Sequence, residues 1–176
     1  MKAAVRRDRR WLGLVLTAAV VLLGGAWFAR LEPTHPAEAP VQEGGELRRH
    51  FDAAVLLLHS RQYRDAQTSL QRVLDLAPQL PEAHANMGFA LLGLQQAVPA
   101  RAAFERAIAL KADQANAYYG LALAHEAGGD LELALGAMRS YLHLARSEGE
   151  AHLRRARAAV WEWETQIGQR RASGKP

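Results

Sequence analysis

A 34-residue period constrains the fold of this chain more than any other feature of its sequence. Three consecutive segments, 47–80, 81–114 and 115–148, align on this period without a gap. The eighth and twentieth positions of each segment hold only small residues, whereas the twenty-fourth holds a large apolar one. In order of position, these residues are Ala54, Gly88 and Ala122; Ala66, Ala100 and Ala134; and Leu70, Phe104 and Met138. Small residues let two helices cross closely, and the large residue fills the space beside them.

This pattern resembles the tetratricopeptide repeat, in which two helices per 34 residues stack into a solenoid. The resemblance covers about 100 of the 176 residues and implies an all-α fold. It departs at the fourth position, where the family often has Trp and this chain has His50, His84 and Tyr118. One helical hairpin cannot bury its apolar face alone, so we expect three stacked hairpins and a terminal helix that covers the last one.

The terminal helix is predicted over residues 149–168, because apolar residues recur there at spacings of three and four. The stripe consists of Leu153, Ala156, Val160, Trp163 and Ile167. Trp161 lies off this stripe and is therefore either exposed to solvent or a contact for a partner. The remaining residues, 169–176, are predicted to be disordered.

A transmembrane helix is predicted before the repeats, at residues 11–29. This segment holds no charged residue and lies between Arg10 and Arg30. Nineteen residues at about 1.5 Å each reach roughly 28 Å, which suits a hydrocarbon core. Residues 1–10 form a basic tail that should stay in the cytoplasm. The sequence thus predicts a single-pass protein of the bacterial inner membrane with its repeats in the periplasm. A signal peptide cleaved after Ala26 is the alternative.

Composition and charge describe the remaining segments. Residues 30–46 are predicted to form an extended linker, because they are rich in Pro, Gly and Glu and cannot bury a core. The net charge of +4 resides in residues 1–10, which hold five basic residues and one acidic residue. The other 166 residues hold 17 of each sign. The basic isoelectric point therefore does not indicate a basic groove, and a nucleic-acid partner is not expected.

No motif for catalysis or for metal binding is evident in the sequence. The chain has no cysteine, no Gly-rich phosphate loop and no Gly-x-Ser-x-Gly turn. Three of its seven histidines, His50, His84 and His152, are separated by multiples of the repeat period. That spacing predicts equivalent half-buried packing sites and not metal ligation. We therefore expect no enzymatic activity, no metal or other cofactor, and no small-molecule substrate.

The first helix of each repeat carries a second apolar face beside its packing face. In the tetratricopeptide-repeat family this face lines the concave groove. A groove that faces solvent should be polar, so an apolar one predicts an apolar or amphipathic peptide of a client protein as its occupant. The alternative is that tight curvature, or the terminal helix folding back, buries this face within the chain. The predicted peptide contacts are Phe51, Val55, Leu58, Ala85, Phe89, Leu92, Tyr119 and Leu123.

Chaperone-binding members of the family grip a C-terminal carboxylate with Lys, Asn and Arg at set groove positions. The corresponding residues here include Asn86, which fits, but no cation that could make a charge-assisted hydrogen bond. An adaptor for acidic chaperone tails is therefore not expected. The complete set at these positions is Phe51, Val55, Asn86, Asn116 and Gly120.

An anchor followed by a linker and three repeats resembles small envelope proteins that assist assembly at the outer face of the bacterial inner membrane. Repeat proteins of cytochrome c maturation and the ancillary translocon subunit are examples. This resemblance implies a membrane-anchored, non-enzymatic scaffold that assists the assembly of an envelope complex. The alternative is a permanent accessory subunit of a membrane complex, such as a respiratory one.

Overall fold

Seven α-helices make up the part of the chain that the structure, a computed structural model, describes, namely residues 39–145 and 149–174. The described residues contain no strand, in agreement with the predicted all-α class. The helices are α1 (Ala39–His59), α2 (Tyr63–Leu76), α3 (Pro81–Gly93), α4 (Ala97–Leu110), α5 (Ala115–Ala127), α6 (Leu131–Leu144) and α7 (Glu150–Ala172).

The membrane anchor predicted at residues 11–29 lies outside the described residues. The same is true of the basic tail at residues 1–10 and of the cleavage site after Ala26. None of the seven described helices combines the length and the hydropathy needed to cross a bilayer.

The six helices α1 to α6 form three hairpins in the predicted register. Helices α3 and α5 are each 13 residues long, and α3 begins at Pro81, where a missing N–H leaves no hydrogen bond unmade. Each hairpin turns at the fifteenth position of its repeat through a residue with positive φ. These residues are Arg61 at 60°, Gln95 at 61° and Gly129 at 84°. The three turns are therefore equivalent in conformation. Only the third uses glycine, the residue for which a positive φ costs the least free energy.

Packing between the helices follows the recurring small and large residues. The alanines at the eighth and twentieth positions have no exposed surface, and neither have the large residues at the twenty-fourth. The ring of Phe104 shows how close the helices come, because a Cβ atom added to Gly88 would lie 2.6 Å from it. A Cβ atom on Gly120 would also collide with this ring. Phe104 on α4 thus fills a space that exists only because α3 and α5 each present a glycine.

The beginning of α1 differs from the prediction. The helix starts at Ala39, so residues 39–46, which were predicted to belong to the extended linker, are helical. Pro40 lies in the first turn, where proline is tolerated in a helix. Exposed ion pairs of 3.7 Å join Arg49 to Glu46 and Arg48 to Asp52, at the helical spacings of three and four.

The terminal helix α7 covers the last hairpin as predicted, but it is longer. It ends at Ala172, so residues 169–172, predicted to be disordered, are helical. Arg170 and Arg171 lie in its last turn, where cations interact favourably with the helix dipole. The predicted stripe faces the third hairpin: Ala156, Trp163 and Ile167 are buried, while Leu153 and Val160 pack at the margin.

Candidate functional site

A cavity of about 510 Å³ opens along the first helices of all three repeats. Residues three, four and seven positions apart lie on the same face of a helix. Each first helix therefore presents one face to the cavity. Most of the lining side chains are apolar and half-buried. The lining residues are Val55, Leu58 and His59 on α1; Tyr63 on α2; Asn86, Phe89, Leu92 and Gly93 on α3; and Leu123 on α5.

A second cavity of about 400 Å³ lies beside the first and shares His59 and Phe89 with it. We call the two cavities together the inner groove. The second cavity reaches the last hairpin and the terminal helix. Its lining consists of His59, Phe89, Asn116, Tyr119, Tyr141 and His152.

The inner groove has polar groups but no formally charged lining residue. Within the part of the chain that the structure describes, no Lys, Arg, Asp or Glu lines either cavity. Its polar groups are the amides of Asn86 and Asn116, the imidazoles of His59 and His152, and tyrosine hydroxyls. Such a lining favours apolar surface that carries hydrogen-bonding groups, because a buried charge would find no opposite charge here.

Six of the eight predicted contact residues line the inner groove. Five of them belong to the first cavity and Tyr119 to the second. Phe51 is half-buried, but it packs against the core and lines neither cavity. Ala85 was wrongly placed on the groove face, because it has no exposed surface at all. It lies on α3, the central first helix, which is covered by α4, α2 and α5.

Two aromatic side chains of the groove, Phe89 and Tyr119, pack against other rings. Phe89 meets the buried Phe104 edge to face, with ring centroids 5.0 Å apart and an interplanar angle of 74°. Tyr119 lies 5.1 Å from Tyr141 at 59°. Phe89 and Tyr119 are nevertheless only half-buried. The chain therefore covers one side of these rings itself and leaves the other side open, so the alternative of complete self-burial does not hold for them.

Several lining residues were not among the predicted contacts. His59 and Gly93 occupy the same thirteenth position of their repeats, the last residue of a first helix, which could have indicated them. Tyr141 lies on a second helix, α6, where no groove residue was expected. His152 was predicted to be a half-buried packing residue, but it is exposed and lines the second cavity. Its position depends on how α7 leaves the third hairpin, which the repeat period does not describe.

The other two histidines at the repeat spacing are half-buried. A ring nitrogen of His84, Nε2, lies 2.9 Å from the carbonyl oxygen of Pro78, which fixes the ring against the preceding loop. His50 is half-buried as well. Among residues 39–145 and 149–174, no three His, Asp or Glu residues come together in a way that could hold a metal ion.

His125 is a buried polar residue outside the groove. It lies in the last turn of α5, and its Nδ1 atom has no hydrogen-bond partner in the described structure. Burial lowers the pKa of His125 below its ordinary value of 6.5, and the nearby Arg101 lowers it further. Asp130 and Glu105 raise the pKa and so oppose this effect, and removal of the imidazole from water remains the largest cause of the lowering.

No protein-family profile and no curated protein sequence matches this chain. Solved structures do resemble it. The first TPR of Spaghetti (RPAP3) bound to the HSP90 peptide SRMEEVD has a TM-score of 0.63 and 18% identity, covering 70% of this chain and 94% of that one. The Sgt2 TPR domain from Aspergillus fumigatus has a TM-score of 0.66 and 17% identity, covering 74% and 85%.

A third similar structure is PcrH in complex with the chaperone binding region of PopD. Its TM-score is 0.64 at 19% identity, and the alignment covers 69% of this chain and 92% of that one. At such low identity these likenesses describe the fold alone. Residues 39–145 and 149–174 thus have the tetratricopeptide-repeat fold that the 34-residue period predicted.

Proposed function

We propose that this chain is a non-enzymatic adaptor that binds an apolar or amphipathic peptide segment of a client protein in its inner groove. The observation that carries this proposal is the lining of the first cavity. Val55, Leu58, Phe89, Leu92 and Leu123 come from three successive first helices and keep part of their apolar surface open. Apolar surface that is gathered into a concave site and left half-covered is typical of a binding groove.

Two of the similar structures support a peptide as the occupant. RPAP3 was solved with an HSP90 peptide, and PcrH with a region of PopD. The inner groove runs across three helices, which suits an elongated segment better than a compact small molecule. A site for an acidic tail needs lysine or arginine to bind the carboxylates. No lysine or arginine is among the described residues that line the inner groove, so the groove differs from such a site.

Site-specific crosslinking tests this proposal most directly. A photo-crosslinking amino acid at Leu92 of the full-length chain should capture a client protein in its native membranes. The double variant Phe89→Glu plus Leu92→Glu places two carboxylates in the groove and should reduce recovery of the client at least tenfold in a pulldown, since each desolvated charge would cost more than about 1.4 kcal/mol.

The matched control is Val98→Glu plus Leu133→Glu. These side chains are 68% and 56% exposed and line neither cavity, so the control adds the same charge without entering the groove. Equal recovery by the groove variant and the control would reject the groove as the binding site.

The membrane anchor at residues 11–29 belongs to the same proposal. Its support is the uncharged stretch of nineteen residues between Arg10 and Arg30. The repeats would then face the periplasm, where the adaptor would assist the assembly of an envelope complex. Full-length chain should stay in the membrane pellet after an alkaline wash, with Met1 still present by mass, whereas a chain that lacks residues 1–30 should be released. A mature chain that begins near residue 27 would overturn the anchor.

A permanent accessory subunit of a membrane complex is the second candidate. The exposed Trp161 favours it, because this indole is 71% exposed on α7 and lies outside the inner groove. Large exposed aromatic residues are enriched at lasting interfaces. On a native gel of gently solubilised membranes, a subunit would migrate with its complex in fixed ratio, and Trp161→Ala would weaken that association. An adaptor would migrate mostly apart from its client.

A further inference from the structure

We propose that the second cavity is a subsite for one aromatic side chain of the client, a tryptophan or tyrosine. This inference rests on the proposed function, because it specifies what the inner groove selects within the peptide. The first cavity then takes an aliphatic side chain of the same segment. The two cavities share His59 and Phe89, so neighbouring side chains of one peptide can occupy both.

Three aromatic rings give the second cavity its character. Phe89, Tyr119 and Tyr141 supply half of its six lining residues, whereas four of the nine residues that line the first cavity are valine or leucine and two are tyrosine or phenylalanine. All three rings already form aromatic contacts, Phe89 with Phe104 at 5.0 Å and Tyr119 with Tyr141 at 5.1 Å. An incoming ring would therefore meet rings of fixed orientation. Aromatic pairs of this kind stabilise a complex beyond the area that they bury.

The charge of the lining distinguishes an aromatic guest from a cationic one. The face of an aromatic ring also attracts the cation of lysine or arginine. A cation that leaves water needs an opposite charge or several acceptors, and no described Asp or Glu lines this cavity. Two imidazoles, those of His59 and His152, also line it and supply no negative charge for a positive guest. An uncharged ring meets none of these costs.

Polar groups in the lining favour a ring that carries a hydrogen-bonding group over phenylalanine. Asn116 is oriented by the buried Gln114, whose Nε2 donates a 2.9 Å hydrogen bond to Asn116 Oδ1. This bond leaves the Asn116 amino group available to donate into the cavity. His152 contributes an imidazole on the terminal helix. A tyrosine hydroxyl or an indole N–H can exchange hydrogen bonds with such groups, whereas a purely apolar ring would leave them unpaired.

Selection from a random peptide library displayed on phage tests the inference, with the full-length chain in detergent micelles as the target. Wild-type chain should enrich peptides that combine aliphatic residues with one recurring tryptophan or tyrosine. The variant Tyr119→Leu keeps an apolar wall but removes a ring. It should lose the aromatic preference, with binding of the enriched peptides weakened by roughly 2- to 10-fold, and should still enrich aliphatic peptides.

A second variant, Asn116→Asp, keeps the size of the side chain and adds a carboxylate to the same rings. It should shift the preferred residue from tryptophan or tyrosine towards lysine or arginine, which a loss of folding could not produce. Thermal unfolding of each variant separates a damaged fold from an altered subsite.

The outcomes separate this inference from the proposed function. Enrichment of apolar peptides without an aromatic preference, or with lysine or arginine in its place on wild-type chain, overturns the aromatic subsite and leaves the groove standing. If the wild-type chain enriches peptides no more than the variant Phe89→Glu plus Leu92→Glu does, both the aromatic subsite and the proposed binding groove are rejected. An aromatic preference that survives Tyr119→Leu also overturns the subsite.

Discussion

The indole nitrogen of Trp163 donates a hydrogen bond of 2.8 Å to a carboxylate oxygen of Glu126, 37 residues earlier in the chain. Trp163 is only 1% exposed and is the largest of the fully buried side chains, whereas Glu126 lies at the end of α5. One contact thus combines burial of a large ring with a specific bond. It fixes the terminal helix to the third hairpin in a single register.

Removal of this contact should loosen the terminal helix. Glu126→Ala leaves a buried indole N–H without its partner and should lower the free energy of unfolding by about 1–3 kcal/mol. Trp163→Ala should lower it by about 3–5 kcal/mol. Urea denaturation of the full-length chain in detergent measures both values.

The matched control for Glu126→Ala is Glu164→Ala, which breaks an exposed ion pair of 2.7 Å with Arg139. This loss should cost less than about 1 kcal/mol. Equal losses for the two variants would show that the Trp163 bond contributes no more than an ordinary surface pair.

Two glycines should respond oppositely to the same substitution. Gly88→Ala forces a Cβ atom against the ring of Phe104, at 2.6 Å before any adjustment, and should destabilise the chain by about 1–3 kcal/mol. Gly136 lies in α6, and apart from its chain neighbours and the backbone of its own helix no atom lies within 4 Å of an added Cβ atom. Gly136→Ala should therefore stabilise the chain by about 0.5–1 kcal/mol. Thermal and urea unfolding of both variants provide the comparison, and a stabilising Gly88→Ala would contradict the close packing.

The buried His125 should make stability depend on pH. Its pKa is lower in the folded chain than the ordinary value of 6.5, chiefly because of burial. Below pH 6.5 the unfolded chain therefore binds a proton that the folded chain does not, and the free energy of unfolding falls as the pH falls towards the folded pKa. Above pH 6.5 the contribution is complete and constant.

The measurement is the free energy of unfolding between pH 7.5 and 5 for wild-type chain and for His125→Gln. Every other ionisable group is present in both proteins, so the difference between the two slopes reports His125. We expect a flatter dependence in the variant. Identical slopes would show that the imidazole titrates alike in the folded and unfolded chains.

The HSP90 peptide SRMEEVD, bound by RPAP3 in a structure that shares this fold, should not bind this chain well. The peptide carries acidic residues and a C-terminal carboxylate, and no described lysine or arginine lines the inner groove. By fluorescence anisotropy we expect a dissociation constant above about 1 mM, which corresponds to a binding free energy smaller in magnitude than about 4.1 kcal/mol. The RPAP3 domain serves as the positive control. Micromolar binding would show that the groove recognises carboxylates by other means.

The architecture of the hairpins was largely predictable because its determinants are local and recur. Small residues at two positions and a large one at a third decide how each hairpin packs, so the period alone gives the register. The bounds of α1 and α7 were not predictable in the same way. A segment that contains Pro40, Gly44 and Gly45 has the composition of a linker, yet proline in the first turn leaves a helix intact.

The candidate site was predictable only in part. Val55 and Phe89 follow from their spacing on a first helix, because the period of the helix decides which side chains share a face. Whether a residue on that face stays exposed depends on how closely the neighbouring hairpins approach it. At Ala85 the neighbouring helices come close enough to bury the side chain completely. Tyr141 lies on a second helix, whereas only first helices were expected to line the groove. His152 lies beyond the third repeat, where the repeat pattern carries no information.

The ring of Phe104 acts as a spacer between α3 and α5, because it touches a glycine on each of them. Those two helices are also neighbouring walls of the inner groove. A smaller or larger residue at this one site would change the width of the groove although every side chain that lines the groove stayed the same. Under the proposed function, adaptation to a new client could therefore proceed at a position that the client never touches.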